Sequence, residues 1–302
     1  MFKETHPKSI ATCVLMMLFP ASAALAGIWK TFDVPYGSLV GVSDIDGSKI
    51  IGSYVDNSAH VCGFSYNGTT WTKLIAPGED TYVYGIQGNN IVGCYDSGSL
   101  EYGCLYNGST WSTLKAPNSK ETCALGIYNG TIIGYYSDPD YFAKKHGFIY
   151  KDSTWTTLNA PGATDTYARS IDGDTIVGYY RDNYETYHGF IYDGTNYNIL
   201  DMPGASQTII SGISGGKIIG RYILEEGGPS ISFIYEGATW TTINNPYAPD
   251  QSIYVNGIDG DNIVGMYYDS DNQMHGFVYT IPEPATLLLL GLGAAIVSRR
   301  RR

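Results

Sequence analysis

An all-β fold, a six-bladed β-propeller of four-stranded antiparallel blades, is what three features of the 302-residue chain predict. The composition carries 37 glycines, 13 prolines and 27 tyrosines with only 16% charged residues, which excludes disorder, collagen and coiled coil. Such levels favour strands joined by tight turns. A period of 40–45 residues runs six times from Ile28 to Thr280, and each unit holds four short strand candidates.

The chain opens with Lys3 and Lys8, an apolar stretch from Cys13 to Phe19, and Ala24-Leu25-Ala26 before Gly27. Basic region, short apolar core and small cleavage residues come in the order of a secretory signal peptide. Residues 1–26 are therefore expected to be removed on export. A buried helix fits less well, because Pro20 interrupts the run.

Residues 27–280 are filled by the repeats. Trp29, Trp71, Trp111, Trp155, Tyr197 and Trp240 each stand six residues before a proline, which uses all five tryptophans. Gly52, Gly93, Gly134, Gly178, Gly220 and Gly265 each follow Ile-Ile or Ile-Val and precede a tyrosine by two. A Gly-Phe pair forms a third column at Gly63, Gly147, Gly189 and Gly276, with Gly103-Cys104 and Ser232-Phe233 departing by one residue each. The fourth unit shows the layout: strands at Tyr167–Ile171, Thr175–Tyr180, His188–Tyr192 and Tyr197–Leu200, with Asp172-Gly173 and Asp193-Gly194 supplying hairpin turns. Asn67, Asn107 and Asn129 also fit a glycosylation sequon, but each begins an Asn-Gly turn.

A single sheet of this size exposes two apolar faces, so neighbouring repeats must cover it. Radial closure does so. The chain begins with a lone Trp-to-Pro strand and ends with three strands that lack one, so the N-terminal strand is expected to complete the last blade. That removes an open sheet edge. An open β-solenoid is the alternative, and four-strand hairpin units fit it poorly.

The other end, 281–302, reads Pro282-Glu283-Pro284, an apolar stretch from Ala285 to Ser298, and Arg299, Arg300, Arg301 and Arg302. The apolar stretch is short for a membrane span, yet the arginines would hold the tail cytoplasmic and leave the domain outside, in agreement with the signal peptide. Motif, apolar helix and basic cluster together resemble the PEP-CTERM sorting signal. The resemblance implies a Gram-negative polysaccharide producer and processing by an exosortase near the motif, with one short C-terminal membrane helix before sorting. A plain C-terminal anchor is the competing reading.

After both cuts the chain keeps 12 basic and 27 acidic residues, a net charge of −15 that repels nucleic acid and anionic lipid. Cys62, Cys94, Cys104 and Cys123 would enter an oxidising compartment, where disulfides with three connectivities are open. No CxxC pair supports a zinc site. The repeats resemble HAF-type extracellular repeats, with His146, His188 and His275 before Gly-Phe where that family has His-Ala-Phe. That likeness implies an exported propeller and adds no catalytic residue.

Signals of nucleophilic, phosphate-loop and zinc chemistry are missing from the sequence. The three repeat histidines share one position and would stand too far apart round a ring to form a joint metal site. Carboxylates and aromatics gather instead in the loops between second and third strands: Asp138, Asp140, Tyr141, Asp182, Tyr184, Tyr187, Asp269 and Asp271. On one rim these could stack on sugar rings, accept sugar hydroxyls or coordinate Ca²⁺; no other cofactor is called for. A solvated rim that keeps an exported protein soluble is the plain reading. Two functions follow: a noncatalytic surface module that binds extracellular polysaccharide, biofilm matrix or another surface protein, or a propeller glycan hydrolase or lyase using rim acids. The longest such loop, Asp138–Lys145, also carries Lys144 and Lys145, which favours binding.

Overall fold

A computed structural model describes residues 27–140, 144–246 and 252–282. Strand β1 spans Ile28–Phe32. Blade 1 is β2 (Gly37–Asp46), β3 (Lys49–Asp56), β4 (Val61–Tyr66) and β5 (Trp71–Leu74). Blade 2 is β6 (Thr81–Gln87), β7 (Asn90–Ser97), β8 (Leu100–Tyr106) and β9 (Trp111–Leu114). Blade 3 is β10 (Thr122–Tyr128), β11 (Thr131–Ser137), β12 (Lys145–Lys151) and β13 (Thr154–Leu158). Blade 4 is β14 (Asp165–Asp172), β15 (Thr175–Arg181), β16 (Tyr187–Tyr192) and β17 (Tyr197–Ile199). Blade 5 is β18 (Gln207–Ser214), β19 (Lys217–Ile223), β20 (Ile231–Glu236) and β21 (Thr239–Thr242). Blade 6 is β22 (Ile253–Asp259), β23 (Asn262–Tyr268) and β24 (Met274–Thr280).

These strands form six four-stranded antiparallel sheets, and the sixth has the order β1-β24-β23-β22. Its register puts Trp29 opposite Tyr279 and Phe32 opposite Gly276, so the expected closure by the N-terminal strand is present. The first strand of each blade packs on the first strands of its neighbours, β2 between β22 and β6, which sets these strands round a central channel. The expected signal peptide and C-terminal helix lie outside the described residues, among which no helix is long and apolar enough to cross a membrane.

The sequence columns have separate physical causes. Opposite each column glycine the inner strand carries a bulge, as between Ala168 and Ser170 in blade 4. A Cβ at Gly178 would lie 2.0 Å from the Tyr167 carbonyl oxygen and 3.0 Å from the Phe190 ring. No side chain fits there. The space admits the phenylalanine of the third strand: Phe64, Phe148, Phe190, Phe233 and Phe277 are at most 1% exposed. In blade 2 the smaller Cys104 takes that place, fully buried. The tryptophans sit half-buried on the outer strands, Trp155 packing on Phe148 of its own blade at 4.8 Å and Trp240 on Phe233 at 4.6 Å, while Trp111 meets Tyr106 in blade 2. They also pack into buried clusters that each span two adjacent blades, Trp111 with Ile51 and Leu74 of blade 1 and Trp240 with Val177 of blade 4, and so belong to the blade-to-blade core. Such aromatic pairs add about 0.5–1.5 kcal/mol each beyond their buried area.

Turn chemistry follows the Asn-Gly and Asp-Gly signals. Asn67 Oδ1 accepts from the Thr69 and Thr70 amides at 3.1 and 2.8 Å, and Asn107 and Asp193 repeat the arrangement. Asn129 sits at φ 44° in the inner hairpin of blade 3. A belt at the inner hairpins ties blade to blade. Asp46 accepts from the Gly88 amide, Gln87 from Asn129 at 2.6 Å, Asp172 from Gly215 at 2.7 Å and Ser214 from Gly260 at 3.0 Å. Asp259 then accepts from Gly47 at 2.7 Å and joins the last blade to the first. Tyr128 holds the equivalent place at the boundary of blades 3 and 4.

Candidate functional site

The loops between second and third strands share a face with the links from each outer strand to the next blade. Backbone hydrogen bonds join the two sets, Glu79 N to Asp96 O at 2.8 Å and Thr164 N to Arg181 O at 2.7 Å. This is the rim expected to carry ligand-binding groups.

Within it, the carboxylates are organised by the histidine column. Asp182 Oδ1 accepts from the Tyr184 and Thr186 amides at 2.8 and 2.9 Å. Those amide bonds, the one from Thr186 foremost, hold its carboxyl below the usual carboxylate range. Its other oxygen faces His188 Nε2 at 3.6 Å, while His188 Nδ1 meets Asp201 at 2.7 Å. Blade 6 repeats this: Asp269 caps the Asp271 and Gln273 amides and meets His275 Nε2 at 3.0 Å, with Asp33 at 2.6 Å on Nδ1. In blade 3, Asp138 and Asn159 flank His146 at 3.2 and 3.1 Å. Each histidine is thus a clasp between a rim loop and its own outer strand, and in blade 6 it also ties the two ends of the chain together. Blade 1 substitutes Cys62 for the histidine, and Asp56 pairs with Lys73 at 2.8 Å.

The eight predicted rim residues therefore separate into groups. Asp138, Asp182 and Asp269 are engaged in clasps. Tyr187 opens β16 at its rim end, opposite Arg181, with its ring edge-on to Tyr179 at 5.7 Å. Asp140, Tyr184 and Asp271 are exposed, Tyr184 by 88%. They sit on blades 3, 4 and 6 and do not converge on one point. Tyr141 lies outside the described residues, as do Glu283, Pro284 and Arg299 to Arg302 of the sorting tail; Pro282 stands two residues beyond the last strand. The clasp partners Asp33, Asn159 and Asp201 were readable as an Asp or Asn thirteen residues after His146 and His188, displaced to the other end of the chain for His275.

At the inner-hairpin end of the channel lies a cavity of about 130 Å³ with Asp44, Tyr84, Arg169, Asp172, Asn256 and Asp259 in its lining. That is well below the ~300–1,000 Å³ of ordinary ligand pockets. Asp44 accepts from the Ile86 amide at 3.1 Å, bridging blades 1 and 2. Burial, augmented by the charges of Asp46 and Asp259, pushes its carboxyl up to about 7. A protonatable carboxyl is present beside a cavity smaller than an ordinary ligand pocket.

One further cluster lies at the boundary of blades 2 and 3. Cys94 and Cys123 sulfurs stand 2.8 Å apart, and Glu101 is within 4.8 Å of both. Burial raises both thiols and the carboxyl. Such a trio could hold a soft metal only if its thiols lost their protons, which burial opposes.

The described strands define a six-bladed β-propeller with its ring closed by the N-terminal strand. At the end of the chain, residues 280–302 match the PEP-CTERM protein-sorting motif. That motif implies export and sorting to the surface by an exosortase. No curated protein sequence matches the chain. Among solved structures it is similar to the Aleuria aurantia lectin, a six-bladed propeller described with a novel fucose recognition mode, at 15% identity and TM-score 0.54, over 84% of this chain and 97% of that one. It is also similar to the propeller domain of the Trilobed protease from Pyrococcus furiosus, described with an open velcro topology, at 14% identity and TM-score 0.53, over 82% and 84% of the chains. Trypanosoma rangeli sialidase is similar at 11% identity and TM-score 0.53, over 85% of this chain and 56% of that one. At these identities the likeness is one of fold. The HAF-type likeness of the repeats is not confirmed by these comparisons.

Proposed function

We propose that the chain is an exported, exosortase-processed surface propeller that acts as a noncatalytic binding module for extracellular polysaccharide. The observation that carries this reading is the joining of a PEP-CTERM motif to a six-bladed propeller whose solved neighbours include fucose-recognising lectins. Residues 1–26 serve as the export signal, 27–280 as the propeller, and 281–302 as the sorting tail, with Arg299 to Arg302 holding the precursor in the membrane until it is cut. Exposed Asp140, Tyr184 and Asp271 supply hydrogen-bond acceptors and a stacking face at the rim, and paired rim carboxylates could take Ca²⁺.

A glycoside hydrolase usually needs two acids flanking one bond, within roughly 10 Å of each other. The close acid pairs at the rim, Asp182 with Asp201 and Asp269 with Asp33, each hold a histidine between them, and the exposed acids Asp140 and Asp271 lie on separate blades, which supports the binding reading. The test is sedimentation of the exported protein with the producing organism's polysaccharide, with and without EDTA. Co-sedimentation that weakens in Asp140→Asn or Tyr184→Ala is expected; protein left wholly in the supernatant would overturn the reading. Pro282→Ala combined with Glu283→Ala is expected to leave an uncut precursor, and normal release of that variant would remove the exosortase step.

A further inference from the structure

The hairpins between third and fourth strands lie on the face opposite the rim. In blade 1 that hairpin, Asn67 to Thr70, stands over the boundary with blade 2, where a cleft of about 210 Å³ remains. Blade 6 has no such hairpin, because β24 ends at Thr280 and its outer strand, β1, arrives from the other end of the chain. Ring closure therefore leaves the boundary of blades 6 and 1 without that turn, and the cleft there widens to about 400 Å³. This enters the ~300–1,000 Å³ range of ordinary ligand pockets. The two clefts are the same place in the repeat: Ile50, Tyr66 and Gly68 line one where Ile91, Tyr106 and Gly108 line the other.

Three columns of the repeat also change at this boundary. Lys49 at the start of β3 crosses to blade 2, donating to Gly88 O at 3.0 Å and Asn89 Oδ1 at 3.2 Å, and Lys217 crosses from blade 5 to Asp261 at 3.2 Å. Asn262 holds their place in blade 6. It is shorter and stays on its own blade, where its Oδ1 accepts from the Thr280 hydroxyl at 2.8 Å. On the outer strand, Phe32 stands where the other five units have leucine or isoleucine, and Lys30 where they have Thr, Ser or Asn. Phe32 meets Tyr66 of blade 1 at 5.9 Å, so aromatic rings come from both sides of the cleft, above buried Ile45 and Ile50. Among the described residues nothing pairs with Asn262 Nδ2 or with the exposed Lys30 ammonium.

We propose that the cleft between blades 6 and 1 is a sugar site that takes one neutral hexose unit of a polysaccharide chain. Phe32 and Tyr66 offer rings to the apolar face of the sugar, while the Lys30 ammonium and the Asn262 amide supply donors to its hydroxyls. A wholly apolar ligand would leave those donors unused, and a single ammonium at an exposed lip is a weak basis for selecting an oxyanion. The ligand class rests on the polysaccharide-binding reading. The place is new: it lies on the face opposite Asp140, Tyr184 and Asp271, at the one boundary where the chain's two ends meet.

Saturation-transfer NMR titration of the exported protein with the methyl glycosides of glucose, galactose and mannose, and with cyclohexanol as an apolar control, tests it. The repeat supplies the substitutions. Asn262→Lys restores the lysine that crosses the boundary from blades 1 and 5, and Phe32→Leu restores the residue of most other units. Both should fold, which unchanged circular dichroism and melting would verify, and Lys30→Thr changes only an exposed position. At least one glycoside is expected to bind saturably while cyclohexanol does not, with binding at least tenfold weaker in Asn262→Lys and Phe32→Leu and reduced in Lys30→Thr. Binding of none of the glycosides, an equal response to cyclohexanol, or variants that bind as the wild type does would overturn the site. Equal co-sedimentation of wild type and all three variants with host polysaccharide would overturn the cleft while leaving the binding module intact. Glycoside binding in the cleft without any co-sedimentation would do the reverse.

Discussion

His275 is gripped by Asp33 on one ring nitrogen and Asp269 on the other, and it is the clasp that joins the two ends of the chain. Burial alone would lower its pKa; the two carboxylates outweigh that and raise it above the ordinary 6.5. A histidine with a raised folded pKa contributes its full stabilisation below about pH 6.5 and loses it as the pH climbs through the folded value. The wild type should therefore melt well above His275→Gln at about pH 6, with the gap closing by about pH 9. A gap that widens with pH would contradict the charged clasp. Asp44 has the same pH sign, but through a cost of ionisation instead of a gain on protonation. Its folded pKa of about 7 lies above the ordinary 3.8, so ionisation costs native stability increasingly between those values and the cost stays above them. Allowing for water in the channel beside it, Asp44→Asn should gain on the order of 1–2 kcal/mol at pH 8 and little at pH 4. Chemical denaturation at the two pH values measures it; an equal change at both would show that the hydrogen bond to Ile86 matters and the charge does not.

At the scale of the strand and hairpin, much was legible because the repeat states each requirement six times. The glycine column announces a contact that no side chain can enter, and the structure locates it at the bulge beneath Phe190 and its counterparts. The tryptophan column is equally plain in sequence, but its place on the outer strands against the same blade's phenylalanine is not, because periodicity gives the face of a strand and not its distance from the axis. The belt of Asp46, Gln87, Asp172, Ser214 and Asp259 escapes a residue-type search, since acid, amide and hydroxyl do one job there. The three pairings of all four cysteines that the sequence left open give way to a single close pair: the thiols are free, and Cys94 and Cys123 of adjacent blades approach to 2.8 Å, the pair expected to crosslink on oxidation. Two thiols would give up two protons and two electrons to a disulfide oxidant of the compartment. Non-reducing peptide mapping of the exported protein is expected to show this crosslink with Cys62 and Cys104 free; four free thiols would refute it.

For the whole molecule, closure is the step that makes six weak sheets one fold. β1 supplies the outer strand of blade 6, where Trp29 packs at 4.9 and 4.8 Å on Phe277 and Tyr279, and Asp259 to Gly47 completes the belt on the opposite face. Deleting 27–36 should expose the amides of blade 6 to hydrogen exchange before any others. Asp259→Ala, which removes one bond of the belt, should cost about 0.5–1.5 kcal/mol. Uniform exchange across all blades in the truncated chain would argue against closure through β1. A ring with a small inner cavity and clasped rim carboxylates, followed by a PEP-CTERM motif, suits the proposed binding module. The most direct measurement follows bound protein and new reducing ends together, over time, in one suspension of exported protein and host polysaccharide. Saturable binding with a flat reducing-end signal is the predicted result, whereas reducing ends that accumulate with time and vanish in Asp140→Asn would make the propeller an enzyme.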